Sequence, residues 1–310
     1  MQPLARIITD SLSPSNVRLT TLIARIPRCV LAELNTHRVF SRNSASSRAI
    51  PTFKMIEKVD TDPFIPEKWG ANGKGMQAHG VLSPEAEIEA TRVWLELRDQ
   101  MVEGAKRLAE LGVHKQHVNR VLEPFLWHTV VISSTEWSNF IHLRDNGAAD
   151  PGIEKTAAAI REVLEANVPR KLNYGEWHLP FVDERDAGLP LDVLIKLSVA
   201  RCARVSYETH EGIRDPQKDI ELFDSLLKNG HLSPFEHAAR PMVVEEIEDF
   251  VPFVQTRKIA EFDEFGNLIY DNLWNESHVA KVFAGNFRGW VQSRKLIPHE
   301  SDILGVKGLS

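Results

Sequence analysis

Residues 36 to 48 read Thr-His-Arg-Val-Phe-Ser-Arg-Asn-Ser-Ala-Ser-Ser-Arg. These thirteen positions hold three arginines, one histidine, four serines and an asparagine, and no acid. Arg38 and Arg48 offer forked cationic donors that match phosphate oxygens. The serines and Asn43 add short, adaptable donors. The apolar run before them, Leu19 to Ile26, predicts a strand that fixes the stretch on a rigid support. On composition alone, a solvated basic turn is the alternative to an anion site.

The rest of the chain bounds these readings. At 310 residues it can bury a sizeable core, as one large domain or two small ones. The net charge of -6 provides no global basic field for nucleic acid, so any anion site must be local. Cys29 and Cys202 lie far apart and read as buried thiols in a reducing compartment, not as a disulfide framework. Met1-Gln2-Pro3-Leu4 has no signal-peptide pattern, and no apolar run approaches the roughly 20 residues of a membrane span. A cytoplasmic protein is expected.

Along the chain, residues 17–35 predict a strand, a break at Pro27, and a helix delivering the basic stretch, with Pro51 closing that element. Residues 58–83 predict a long ordered loop, with a lid as one possible role. Its Gly73-Lys74-Gly75 is not a phosphate-binding loop, because no Ser or Thr follows the lysine. Ser83 and Pro84 start a helix that Gly112 ends. Its stripe of Ile88, Val93, Trp94, Leu97, Met101, Ala105 and Leu108 reads as core. Residues 126–133 fit strand or helix; 134–143 favour helix, with Trp137, Phe140 and Ile141 on one face. Further helices start at Asp150-Pro151 (inner face Ile153, Ala157, Ile160, Leu164), near Leu191, and at Asp215-Pro216. The main organisational break is expected near 185–190, between parts 1–190 and 191–310 of one intertwined unit. A turn is expected at Gly266-Asn267. Residues 285–295 have basic and aromatic content but no assignable role. His231, Glu236 and His237 lack the spacing of a metal site, and no metal is expected.

Four motifs carry a resemblance. His37-Arg38-x-x-Ser41-x-Asn43-x-x-Ser46-x-Arg48 resembles the signature of the flavin-dependent thymidylate synthases (ThyX), Arg-His-Arg-x-x-Ser-x-Asn-x-x-Ser-x-Arg, with Thr36 replacing the first Arg. Asn139-Phe140-x-x-Leu143-Arg144 is similar to the family's Asn-Phe-x-x-Leu-Arg segment. Gly230-His231-x-Ser233-Pro234-Phe235-Glu236-His237 resembles its Gly-His-x-Ser/Thr-Pro-Phe-Glu-His, and Ala203-Arg204-Val205-Ser206 its Ala-Arg-x-Ser. In the family the Gly-His segment precedes the signature; here it follows by almost two hundred residues. Circular permutation is the simplest explanation, and it requires 231–237 to lie near 36–48.

The resemblance implies an α+β fold with a twisted, mainly antiparallel sheet and packed helices, and a homotetramer with active sites between subunits. It implies FAD as carrier, NADPH as reductant, methylenetetrahydrofolate as carbon donor and dUMP as substrate. Around the cofactor it implies His37, Arg38, Asn43, Asn139, Ser206, His231, Ser233 and Glu236. Around the nucleotide it implies Glu33, Ser46, Ser47, Arg48, Arg120 and Arg144, with Arg144, Arg48 and Ser46 nearest the chemistry. Without the resemblance, Arg144 reads as a surface arginine favoured at a helix C-terminus. Ser46 has no adjacent base to make it a nucleophile. Glu33, Thr36, Ser44, Ala49 and the Ala149-Asp150-Pro151-Gly152 run depart from the family pattern. They leave room for a pyrimidine hydroxymethylase, or for a nucleotide-binding relative without chemistry.

Overall fold

The computed structural model describes residues 4–301 except positions 76, 79, 210, 211, 213, 251–260, 263–267 and 270–275. The expected turn at Gly266-Asn267 lies outside the described residues. The chain is α+β. Its central sheet has the order β3-β4-β2-β1-β5, built from β1 (Ala5–Leu12), β2 (Arg18–Pro27), β3 (Ser41–Ser44), β4 (Trp127–Ser134) and β5 (Arg170–Lys171). Every pairing is antiparallel except β1 with β5, so the mainly antiparallel sheet is as expected.

Residues 126–133, ambiguous by local pattern, belong to strand β4. The pairing with β2 decides this, running from Thr20↔Ser134 to Pro27↔Trp127. β4 is then sandwiched between β2 and β3, and its residues 130–134 are all buried. Because strand side chains alternate, the two faces of this sheet differ. One carries Leu22, Ala24, Ile26, Val130 and Ile132, packed on α5 (Ser138–Arg144) and α6 (Pro151–Ala166) through Phe140, Ile153, Ala157, Ile160 and Leu164. Each such fully buried apolar side chain contributes about 1.5–3 kcal/mol. The opposite face carries Ile23 and Val131 against Phe181, Cys202 and Val205, the last two at the C-terminal end of α7 (Leu191–Arg204). On that same face lie Thr21, paired with Ser133, and Ser133, paired in turn with Ser41. The buried polar stripe that results must be hydrogen-bonded within the protein.

Helix starts are as read. Ser83, Asp150 and Asp215 each accept a backbone N–H at the N-cap, and Pro follows each one. Gly112 ends α3 (Pro84–Glu110) with φ +78°. α2 (Thr52–Thr61) starts after Pro51 and takes up the first residues of the expected loop, which begins at Asp62 instead of 58.

Two expectations are corrected. The α3 stripe is not core throughout: Ile88, Val93, Leu97 and Met101 are exposed. The helix buries Val102 and Ala105, with Trp94 and Leu108 packed against the same cluster. A helical period marks an apolar face but not what covers it. Cys29 is exposed, so the buried thiol is Cys202 alone.

Candidate functional site

The basic stretch leaves β2 through a 3-10 turn and α1 (Leu31–Asn35), then enters β3. Arg42 turns back, its Nη1 donating to the carbonyl of Leu34 at 3.0 Å, which closes the end of α1. Three groups of side chains form along this path.

The first group is Glu33, Thr36, His37 and Arg144. Arg144 is the last residue of α5 and is half-buried. Its Nε donates to His37 Nε2 at 3.1 Å, and its Nη2 reaches Thr36 Oγ1 at 3.1 Å and the Glu33 carbonyl at 3.4 Å. Arg144 is therefore not a free surface arginine. His37 is 6 % exposed. Burial, together with the Arg144 and Arg42 charges, lowers its pKa, so it accepts Arg144 as a neutral imidazole. Glu33 Oε2 is buried with no hydrogen-bond partner. Thr36, which replaces the signature's first Arg, meets Arg144 directly.

The second group joins β3 to residues 230–237. Gly230 has φ +69° and ends α8 (Pro216–Lys228), and His231 N donates back to the Leu226 carbonyl at 2.9 Å. A side chain at this left-handed position would be strained. The chain then enters the 3-10 turn Ser233–Glu236, which seats on β3. The Asn43 amide lies 3.2 Å from Ser233 Oγ and 3.0 Å from His237 Nε2. The two segments are thus adjacent.

The third group surrounds Ser46 and Ser47. Ser46 N donates to the Ser206 carbonyl at 2.9 Å, so Ser206 meets the signature through its backbone. Asn119 is fully buried and holds the loop, its Nδ2 donating to the carbonyls of Ser47 at 2.7 Å and Ile50 at 2.9 Å. Arg38, Arg48 and Arg120 are exposed, with no side-chain partner among the described residues. Asn139 and His231 are exposed as well.

Several contributors were not readable from the sequence. Residues 283–296 prove to be a brace. β9 (Phe283–Ala284), β10 (Phe287–Arg288) and β11 (Trp290–Gln292) pair among themselves and, through β11, with β6 (Ala239–Pro241). Gln292 Nε2 donates to Ser41 Oγ at 2.9 Å and to the Glu236 carbonyl at 3.0 Å. Arg294 holds the Glu236 carboxylate at 2.5 Å. An open polar cleft of about 360 Å³ beside this brace is lined by Gly230, His231, Leu232, Ser233, Arg294, Glu300 and Ser301. Arg204, in the Ala-Arg-x-Ser segment, is buried and structural: with Arg201 it shares Asp219, and Arg201 also binds Asp186 at 2.5 Å. Gly152, one of the departures, sits where a Cβ would come within 2.9 Å of Pro27 Cγ, so close packing of α6 on the β2 end leaves no room for a larger side chain.

No group of three or more metal-ligating side chains occurs among the described residues. No described helix is long and apolar enough to cross a membrane.

Comparison with known proteins adds a family. A search of curated proteins finds no match. Among solved structures, the chain is similar to a UMP/dUMP methylase, PolB, from Streptomyces cacaoi. In its complex with 5-Br dUMP, identity is 15 %, coverage is 48 % of this chain and 67 % of that chain, and the TM-score is 0.39. For the complex with 5-Br UMP, identity is 15 %, coverage 53 % and 89 %, and TM-score 0.43. The family model of the thymidylate synthase complementing protein (Thy1) matches residues 13–170, which contain the signature, Asn139 and Arg144. That match spans half of the chain, and the chain belongs to this family.

Proposed function

We propose that this chain is a flavin-dependent thymidylate synthase, moving a one-carbon unit from methylenetetrahydrofolate to C5 of dUMP with NADPH as reductant. The observation that carries this reading is the seating of residues 230–237 on β3 through Asn43, Ser233 and His237, across some 190 residues of sequence. A segment inside the family match and a second segment that resembles a motif of the same family meet at one place. No side chain can supply a hydride, and FAD, when bound, supplies that chemistry.

The donor set fits a flavin dinucleotide. His231 is exposed beside Ser233, where the polar cleft opens, and Arg38 is exposed in the stretch that leads to Asn43. We assign Asn139, Ser206 and Glu236 to the cofactor as well, although Glu236 is already paired with Arg294. We assign Ser46, Ser47, Arg48 and Arg120 to dUMP, with Glu33 and Arg144 at its base. The free guanidinium forks of Arg48 and Arg120 suit phosphate oxygens. Residues 191–242 correspond in this reading to the family's N-terminal part, circularly permuted, and 1–190 and 191–310 form one catalytic unit. The family resemblance carries with it a homotetramer in which subunits complete each other's sites. A cytoplasmic setting fits this metabolic role.

A second reading is a flavin-dependent pyrimidine hydroxymethylase, in which water ends the reaction. It is favoured by Thr36, a departure from the signature that lies 3.1 Å from Arg144 Nη2. The test is product analysis after incubation with FAD, NADPH, methylenetetrahydrofolate and dUMP. A 5-methyl product supports the synthase and a 5-hydroxymethyl product the second reading. Nucleotide binding without either product leaves a non-catalytic relative.

A further inference from the structure

The sheet face beneath residues 230–237 carries an unbroken hydrogen-bonded chain that ends at the candidate cofactor site. Ser11 Oγ lies 2.9 Å from His178 Nδ1, and His178 Nε2 lies 2.8 Å from Thr21 Oγ1. Thr21 Oγ1 lies 2.5 Å from Ser133 Oγ, which lies 2.8 Å from His237 Nδ1. His237 Nε2 then meets Asn43, and Asn43 meets Ser233. Ser11, His178, Thr21, Ser133 and His237 are all 0 % exposed, whereas Ser233 faces solvent.

Burial pushes both imidazoles down to about 3, so they are neutral. A neutral imidazole has one N–H and one lone pair for its ring nitrogens, and a hydroxyl has one hydrogen. Each link takes one hydrogen, and because the Thr21 and Ser133 hydroxyls have no other hydrogen-bond partner among the described residues, the direction of one link fixes the next. The direction is set at Asn43. The amide atom facing His237 also lies 3.2 Å from the Arg42 carbonyl and 3.2 Å from the Ser233 carbonyl. Only nitrogen can face two carbonyls. Asn43 Nδ2 thus donates toward His237 Nε2, and Asn43 Oδ1 accepts from the Ser233 hydroxyl at 3.2 Å. His237 must then carry its proton on Nδ1 and donate to Ser133. Ser133 donates to Thr21, Thr21 donates to His178 Nε2, and His178 Nδ1–H donates to Ser11.

We propose that Asn43, held by the Arg42 and Ser233 carbonyls, is a polarity lock: it fixes one hydrogen-bond direction both for the buried chain and for Ser233, so that Ser233 offers only lone pairs outward. Ser233 then selects a ligand group that donates, an imide N–H or a sugar or ribityl hydroxyl, over a phosphate oxygen. His237, Ser133, Thr21 and His178 are positioning residues. The ligand part rests on the flavin reading of Ser233; the direction of the chain does not.

The test is long-range proton–nitrogen NMR of the full chain labelled with ¹⁵N-histidine at pH 7. His178 and His237 are both expected as the single Nδ1–H tautomer. Ser133→Ala removes no atom that touches His178, yet it should leave His178 as a mixture of both tautomers. Thr21→Val, close to isosteric, should do the same and serves if Ser133→Ala does not fold. The proposal is overturned if wild-type His178 or His237 carries its proton on Nε2 or is mixed, or if His178 keeps one tautomer in either folded variant. A parallel FAD titration separates the two readings. The predicted tautomers without FAD binding support the lock and remove the flavin assignment alone; FAD binding with a mixed wild-type His178 does the reverse.

Discussion

The polar residues of this protein fall into two sets that look alike in sequence and behave differently in the fold. Arg201, Arg204, Asp186 and Asp219, with His178 and His237, are buried and fully engaged. Arg38, Arg48 and Arg120 are exposed without side-chain partners among the described residues. Both sets include residues of family-like motifs. The difference shows that membership in a motif does not make a residue a ligand contact. Arg204 is held by Asp219 at 2.8 Å and braces α7 against α8, while the Arg48 guanidinium has no side-chain partner among the described residues.

Acid should separate the sets most strongly. His128, His178 and His237 titrate near 3 in the fold, mainly through burial, and near 6.5 when unfolded. Between those values the unfolded chain binds more protons, so stability is full above about pH 6.5 and is lost as pH falls toward 3. Each imidazole should cost about 2 kcal/mol at pH 5, roughly 6 together. Urea midpoints at pH 7 and pH 5 measure this; equal midpoints would mean the histidines are not buried neutral groups.

Arg201→Ala comes next. It strands Asp186 in the interior, leaves Asp219 with Arg204 alone, and should destabilise by about 3–5 kcal/mol. A chemical denaturation series that finds less than about 1 kcal/mol would remove the buried ion network from the account of the fold.

Arg48→Ala tests the exposed set. A charged phosphate contact is worth roughly 1.5–3 kcal/mol, so the dUMP Kd should rise about tenfold to a hundredfold. An unchanged Kd would take Arg48 out of the site. The smallest effect sharpens the contrast: Arg48→Ala and Arg120→Ala should each leave stability within about 0.5 kcal/mol. A loss as large as that of Arg201→Ala would erase the distinction between the two sets.

Much of this was legible in the sequence, for local reasons. Cap residues act through the nearest backbone N–H groups, so Ser83, Asp150 and Asp215 marked helix starts correctly. The signature singled out Asn43, which packs on Ser233 and His237, and the Asn-Phe-x-x-Leu-Arg segment singled out Arg144, which packs on His37. What escaped depends on pairing across distance. β4 was undecided because its burial comes from β2 and β3 on either side. The α3 stripe was over-read because an apolar face does not say what covers it. Asn119, next to the chosen Arg120, was missed because its role is to hold two loop carbonyls. Gln292 and His178 gave no signal because their partners, Ser41 and Thr21, lie 251 and 157 positions away.

The central claim is that residues 230–237 and the signature strand form one flavin-dependent nucleotide site. The most direct measurement is the visible absorption spectrum of the purified full chain during an FAD titration, followed by dUMP. The account predicts flavin bands that travel with the protein and shift when dUMP is added. No bound flavin at any practical concentration would contradict it, leaving a nucleotide-binding member of the family without flavin chemistry.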